Sequence, residues 1–212
     1  TREYFTFVAG NFTRLRVAGG QQADLGVFAL HERALTPALH GTAGVRLNRW
    51  SETEGHRRET DRATGVASRD DHYADSDGTA FSPSLGLVWK PDVAWRLRAN
   101  AQQAFRRPTL NELYRPFRQG ANVTEANVEL KTEQVTTAEV GAEFRWNALT
   151  LSATAFWNDL RDAVGNVTIA RGPGTFPIVG TLAAGGLGRQ RLNLDRMRTQ
   201  GVELAATWNV AR

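Results

Sequence analysis

Val93-Ala94-Trp95-Arg96-Leu97-Arg98-Ala99-Asn100-Ala101-Gln102 alternates two kinds of side chain. In an extended chain successive side chains point to opposite faces, so Val93, Trp95, Leu97, Ala99 and Ala101 share one side and Arg96, Arg98, Asn100 and Gln102 the other. One side favours hydrocarbon and the other favours water. The run, which loses phase at Gln103, is close to the roughly nine to eleven residues that a tilted strand needs to cross a bilayer.

Five further segments repeat the pattern. Leu39, Gly41, Ala43, Val45 and Leu47 stand against His40, Thr42, Gly44, Arg46 and Asn48; Phe81, Pro83, Leu85, Leu87 and Trp89 stand against Ser82, Ser84, Gly86 and the dissenting Val88. Ala138, Val140, Ala142, Phe144 and Trp146 oppose Thr137, Glu139, Gly141, Glu143 and Arg145. Leu149, Leu151, Ala153, Ala155 and Trp157 oppose Thr150, Ser152 and Thr154, and Val202, Leu204, Ala206 and Trp208 oppose Gly201, Glu203, Ala205 and Thr207. A muddier segment, Leu25 to Leu35, is expected to be a strand as well.

Short and long connections alternate between these segments. Leu35-Thr36-Pro37, Lys90-Pro91-Asp92 and Trp146-Asn147-Ala148 are tight turns, whereas roughly 51–79, 107–133 and 163–197 read as long extracellular loops. Short turns on one side and long loops on the other belong to an outer-membrane barrel. Trp89, Trp95, Trp146 and Trp208, four of the six tryptophans, fall at the short-turn ends, with Trp50, Phe81 and Phe105 at the other; the two groups read as aromatic girdles. A soluble β-sandwich would spread such residues along its strands.

Composition agrees with this reading. The 212 residues contain no run of 18 apolar positions, so no transmembrane helix can be drawn, and the mean hydropathy of -0.40 is what alternating strands average to. The net charge of +4 contains no long basic block, which argues against a nucleic-acid-binding tail. Cysteine is absent. The chain starts at Thr1 without an initiator Met or a signal peptide and is read as an internal fragment of a longer protein.

The residues after Gln103 carry a resemblance. Phe105-Arg106-Arg107-Pro108-Thr109-Leu110-Asn111-Glu112-Leu113-Tyr114-Arg115-Pro116-Phe117 resembles a signature that TonB-dependent receptors carry late in their barrels. Ala126-Asn127-Val128-Glu129-Leu130-Lys131-Thr132-Glu133, Glu139-Val140-Gly141 and Gly201-Val202-Glu203-Leu204 are similar to further segments of that family. Val128 and Thr132 depart from it, standing where the family usually has proline. The similarity extends over about residues 25–209. It implies a 22-stranded barrel closed by a plug domain outside this chain, driven through TonB, and monomeric when complete. Thr109-Leu110-Asn111-Glu112 also matches a capping box, so a helical turn is expected after Pro108.

The resulting expectation is an all-β antiparallel transmembrane β-barrel segment of the Gram-negative outer membrane, in contact with lipid and lipopolysaccharide. Its expected function is TonB-dependent uptake of a scarce anionic chelate such as a ferric siderophore; a passive porin and a soluble extracellular β-sandwich binding module are the rivals. Arginine forks suit carboxylate, phosphate or catecholate oxygens. The expected ligand-binding residues are therefore Arg107, Tyr114, Arg115 and Arg118 in the family-like loop and Arg98 on the lumen wall, with Arg96 and Arg46 beside it. For any single one of these arginines, pairing with Glu139, Glu143 or Glu203 on neighbouring strands or with lipopolysaccharide is the competing expectation. Asp70-Asp71-His72-Tyr73-Ala74-Asp75-Ser76-Asp77-Gly78 offers oxygen atoms but lacks EF-hand spacing, His31, His40, His56 and His72 lack zinc spacing, and no G-x-S-x-G or cysteine nucleophile is present. No cofactor, metal centre or enzymatic activity is expected.

Overall fold

Each period-two segment forms a strand, and the strands are longer than the alternation. This computed structural model describes residues 1–210. In chain order its elements are β1 (Arg2–Val8), β2 (Asn11–Ala34), β3 (Leu39–Asp61), β4 (Ala67–His72), β5 (Ser76–Trp89), β6 (Trp95–Arg106), α1 (Leu110–Tyr114), β7 (Phe117–Gln119), β8 (Asn122–Glu125), β9 (Glu133–Trp146), β10 (Leu149–Arg171), β11 (Gly174–Phe176), β12 (Gly180–Leu182) and β13 (Leu187–Trp208). The main sheet runs β1-β2-β3-β5-β6-β9-β10-β13-β8-β7, with β4 on the upper part of β3; β11 and β12 form a separate hairpin. All long neighbours are antiparallel, and β8 joins β13 in parallel.

Register places the apolar residues side by side. Ala99 lies opposite Leu87 and Val140, Val140 opposite Ala155, and Ala155 opposite Val202. At the short-turn end Trp95 packs on Phe144 with ring centroids 4.8 Å apart, and Leu149 sits between Trp146 and Trp208. Leu85 is 63% exposed and Leu204 79%, and among the described residues no second sheet covers this face. A continuous apolar surface of this kind is what lipid covers, and it removes the sandwich reading.

The long segments need correction. Of 51–79, read as a loop, residues 51–61 continue β3, β4 takes 67–72, and β5 begins at Ser76; of 163–197, β10 continues to Arg171 and β13 begins at Leu187. Above the apolar band both faces of a strand meet polar surroundings, so alternation lapses while the hydrogen-bonded ladder continues. β1 and the upper half of β2, which pair as a hairpin around Ala9 and Gly10, escaped the pattern for the same reason. Trp50 is also reassigned: it lies on the inner face beneath Arg107, 5.5 Å from ring centroid to guanidinium, and belongs to no outer girdle.

Candidate functional site

The concave side of the sheet is crossed at its upper end by the segment 107–132, and the arginines of that mouth are held in a polar network. The segment opens as its sequence dictates. The Thr109 hydroxyl accepts from the Glu112 backbone N–H at 3.3 Å, and the Thr109 N–H donates to the Glu112 carboxylate at 2.7 Å, the reciprocal capping box. It starts α1, whose Leu113 and Tyr114 are buried.

Two glycines let α1 lie against the wall. A Cβ on Gly55 would meet the Tyr114 ring at 2.7 Å, and one on Gly20 would meet it at 3.2 Å, so the ring occupies the space that side chains on β2 and β3 would take. Tyr114 stacks on Tyr73 at 5.2 Å and joins Ala18, Leu113 and Leu130 in a small core. Tyr114 thus packs against the barrel wall, and the structure gives it a place in the packing of the loop.

The arginines occupy separate settings. Arg107 lies over Trp50 and 3.6 Å from Asp24, Asp24 accepts from Asn48, and Asn48 accepts from Arg46. Arg115 donates to Glu3 at 2.8 Å. Arg118 is exposed and reaches the Thr181 carbonyl at 3.4 Å. Arg98 lies further down the wall and donates to Thr154 at 2.6 Å. Arg96 pairs in register with Glu143, whose carboxylate is taken by Arg145. Glu139 accepts from Asn100.

Sequence reading missed the residues that fix the mouth. Arg16 donates to Glu59 and Glu3, each at 2.7 Å, and reaches the Pro116 carbonyl. Arg57, whose side chain is 7% exposed, pairs with Glu59 at 2.7 Å and with Glu125 at 2.5 Å. Arg191 on β13 donates to the carbonyls of Asn111 and Arg115, and Asn193 exchanges hydrogen bonds with Lys131. The only prior signal was charge in stretches without period, which an ordinary solvated loop shows too. Beside this network a cavity of about 390 Å³ opens, lined by Arg57, Arg69, Tyr73, Glu125, Asn127 and Gln190 among others.

The acidic stretch 70–78 is tied to other partners. Asp70 faces Arg58, Asp71 pairs with Arg69, Asp75 accepts from the Glu54 N–H, and Asp77 faces Arg49. Among the described residues no group of three His, Cys, Asp or Glu is arranged to hold a metal.

Burial would raise the Glu59 carboxyl, but Arg16 and Arg57 outweigh it and hold it below its ordinary value of 4.5; Glu3 is lowered likewise, against burial, by Arg115 and Arg16. A carboxyl lowered by folding contributes stability that is fully present above its unfolded value and is lost as pH falls through the folded one. Anchoring of segment 107–132 is therefore expected to hold at neutral pH and to loosen below about pH 4.5. Amide hydrogen exchange of that segment against pH checks it; exchange that stays flat down to the onset of global unfolding would refute the anchoring role.

The family model described as TonB dependent receptor-like, beta-barrel matches residues 2–211. The hemoglobin and hemoglobin-haptoglobin-binding protein C of Haemophilus influenzae is 30% identical over 135 residues, 62% of this chain and 12% of that protein. The iron-regulated outer membrane virulence protein of Vibrio cholerae is 30% identical over 130 residues, 59% of this chain and 19% of that protein. The chain thus matches about an eighth to a fifth of the length of these relatives. In fold it is similar to the Serratia marcescens hemophore receptor HasR solved with its hemophore and heme, with a TM-score of 0.68 and 17% identity over 93% of this chain and 35% of that one.

Proposed function

This chain belongs to the TonB-dependent receptor β-barrel family, and from that premise we propose that the complete protein imports a scarce metal chelate across the bacterial outer membrane. The observation that carries the reading is the two-sidedness of the sheet. Its outer face is apolar between a row of tryptophans and a polar upper rim, and its inner face is polar and crossed at the upper end by an arginine-bearing segment. A passive porin has less use for a mouth pinned by so many ion pairs.

The sheet edges support closure by further strands. β1 covers only Asn11–Val17 of β2, and β8 covers only Gly188–Gln190 of β13. Among the described residues the lower halves of both edges are unpaired, and unpaired backbone groups are costly in lipid. A 22-stranded barrel with a plug that engages TonB supplies the missing neighbours and the energy, and such a receptor works as a monomer. The chain is a transport wall with no enzymatic role.

For cargo we favour an iron chelate with exposed acidic oxygens, a ferric siderophore or a similar complex, because Arg107, Arg115 and Arg118 lie at the mouth and Arg98 on the wall below. Haem, itself an iron chelate, falls in the same class, and the names of the relatives support including it. In an iron-starved strain, uptake of radiolabelled ferric siderophores and growth on haem should be lost on deleting the gene and restored by returning it. Unchanged uptake and growth across a panel of both would sink the cargo reading.

A further inference from the structure

We propose that the outer face of the barrel carries a dedicated binding site for the phosphorylated headgroup of an outer-leaflet glycolipid, formed by Arg161, Arg196 and Arg198 around Asp159. The proposal rests on the membrane reading and is independent of the cargo. Asp159 and Arg161 on β10, and Arg196 and Arg198 on β13, share the face that lower down carries Ala155, Trp157, Val202 and Leu204; register pairs Asp159 with Arg198 and Arg161 with Arg196. Arg196 grips Asp159 through both guanidinium arms, Nε to Oδ1 at 2.6 Å. Arg161 stands 3.8 Å from the same carboxylate, and Arg198 is the cross-strand neighbour of Asp159.

Three guanidiniums around one carboxylate leave a surplus of two positive charges. The Asp159 side chain is 2% exposed, whereas Arg161 is 61% exposed. The flanking residues on this face are Thr136 and Gln134, opposite Asp159 and Arg161, and Gln200 opposite Trp157. Among the described residues of β9, β10 and β13 at this level, Asp159 is the only carboxylate on the outer side. The surplus therefore has no protein partner on these strands.

Height selects the ligand. From Leu149, between the tryptophans of the lower row, Arg161 is twelve residues along β10. At about 3.3 Å per residue and a tilt near 40° that is about 30 Å, against an apolar band about 25 Å tall. The arginines therefore stand just above the hydrocarbon, at the depth where the outer leaflet carries its headgroups. Guanidinium forks match phosphate oxygens in two-point geometry, and Asp159 holds Arg196 in place. A lipid with phosphates at the headgroup and acyl chains against Trp157 and Val202 satisfies both parts of the surface.

The test uses the complete receptor purified from outer membranes. Glycolipid retained through detergent exchange is quantified for the wild type, for Arg161→Gln with Arg198→Gln, and for the same positions changed to Lys. The glutamine variant should retain on the order of tenfold less, with the lysine variant nearer the wild type and all three equally heat-modifiable on gels. Adding lipopolysaccharide to delipidated wild type should raise its melting temperature, whereas dephosphorylated lipopolysaccharide or inorganic phosphate should not. Equal retention by the wild type and the glutamine variant, or equal stabilisation by the dephosphorylated lipid, would overturn the site. Loss of iron uptake has no bearing on either readout.

Discussion

Val140→Arg is expected to lower the stability of the folded barrel by roughly 2–4 kcal/mol. Val140 lies on the outer face, 58% exposed, opposite Ala99 and Ala155 and midway between the Trp146 row and the polar rim at Thr136 and Gln134. A guanidinium there meets hydrocarbon on all sides and is too deep to reach water easily. Leu97→Arg should cost less, about 1 kcal/mol or under, because Leu97 stands two residues above Trp95 and its arginine can bend toward the interface. Arg98→Leu, on the inner face, removes only the bond to Thr154 and should stay near the ordinary cost of about 1 kcal/mol. Urea midpoints of the three variants in lipid check the ordering. Equal losses at Val140 and Arg98 would mean that the faces are assigned wrongly.

Arg57→Ala should produce the second large effect, about 3–5 kcal/mol, because it strips the partner from a buried carboxylate. Glu125 pairs with Arg57 and its side chain is 11% exposed, while Glu59 keeps Arg16. The loss should be local, with Asn122–Glu125 exchanging amide hydrogens faster while the membrane strands keep their protection. Adding Glu125→Leu to Arg57→Met should recover most of the loss, since an apolar pair leaves no uncompensated charge. If the single variant leaves exchange at Val123–Glu125 unchanged, the salt bridge does not hold the segment down.

The membrane part of the fold was legible because lipid imposes a rule on every second residue. Leu97 and Leu204 sit on one face, and Arg98 and Glu203 on the other, as alternation required. The same rule is silent above the bilayer. There the continuation of β3 through Thr53–Asp61 and of β10 through Ala163–Arg171 shows no period, since neither side faces hydrocarbon. The capping box at Thr109 and Glu112 was readable because its four residues are contiguous. Arg57 to Glu125, 68 positions apart, and Arg16 to Pro116, 100 apart, were not, because any exposed arginine looks alike until the chain is folded. Tyr114 was singled out by its place in a family-like segment; its fit against Gly55 and Gly20 depends on a register that only the folded sheet reveals.

Segment 107–132 touches β2 and β3 at one end and β10 and β13 at the other, so it acts as a cross-brace over the inner curve of the wall. Strands that are free to hinge about their hydrogen bonds are thereby tied together across the curve, so a change in the brace is expected to change the curvature of this wall. If the complete protein carries a solute as proposed, rearrangement is expected in the hairpin tips and in whatever fills the bore, with this arc of wall moving as one rigid stave.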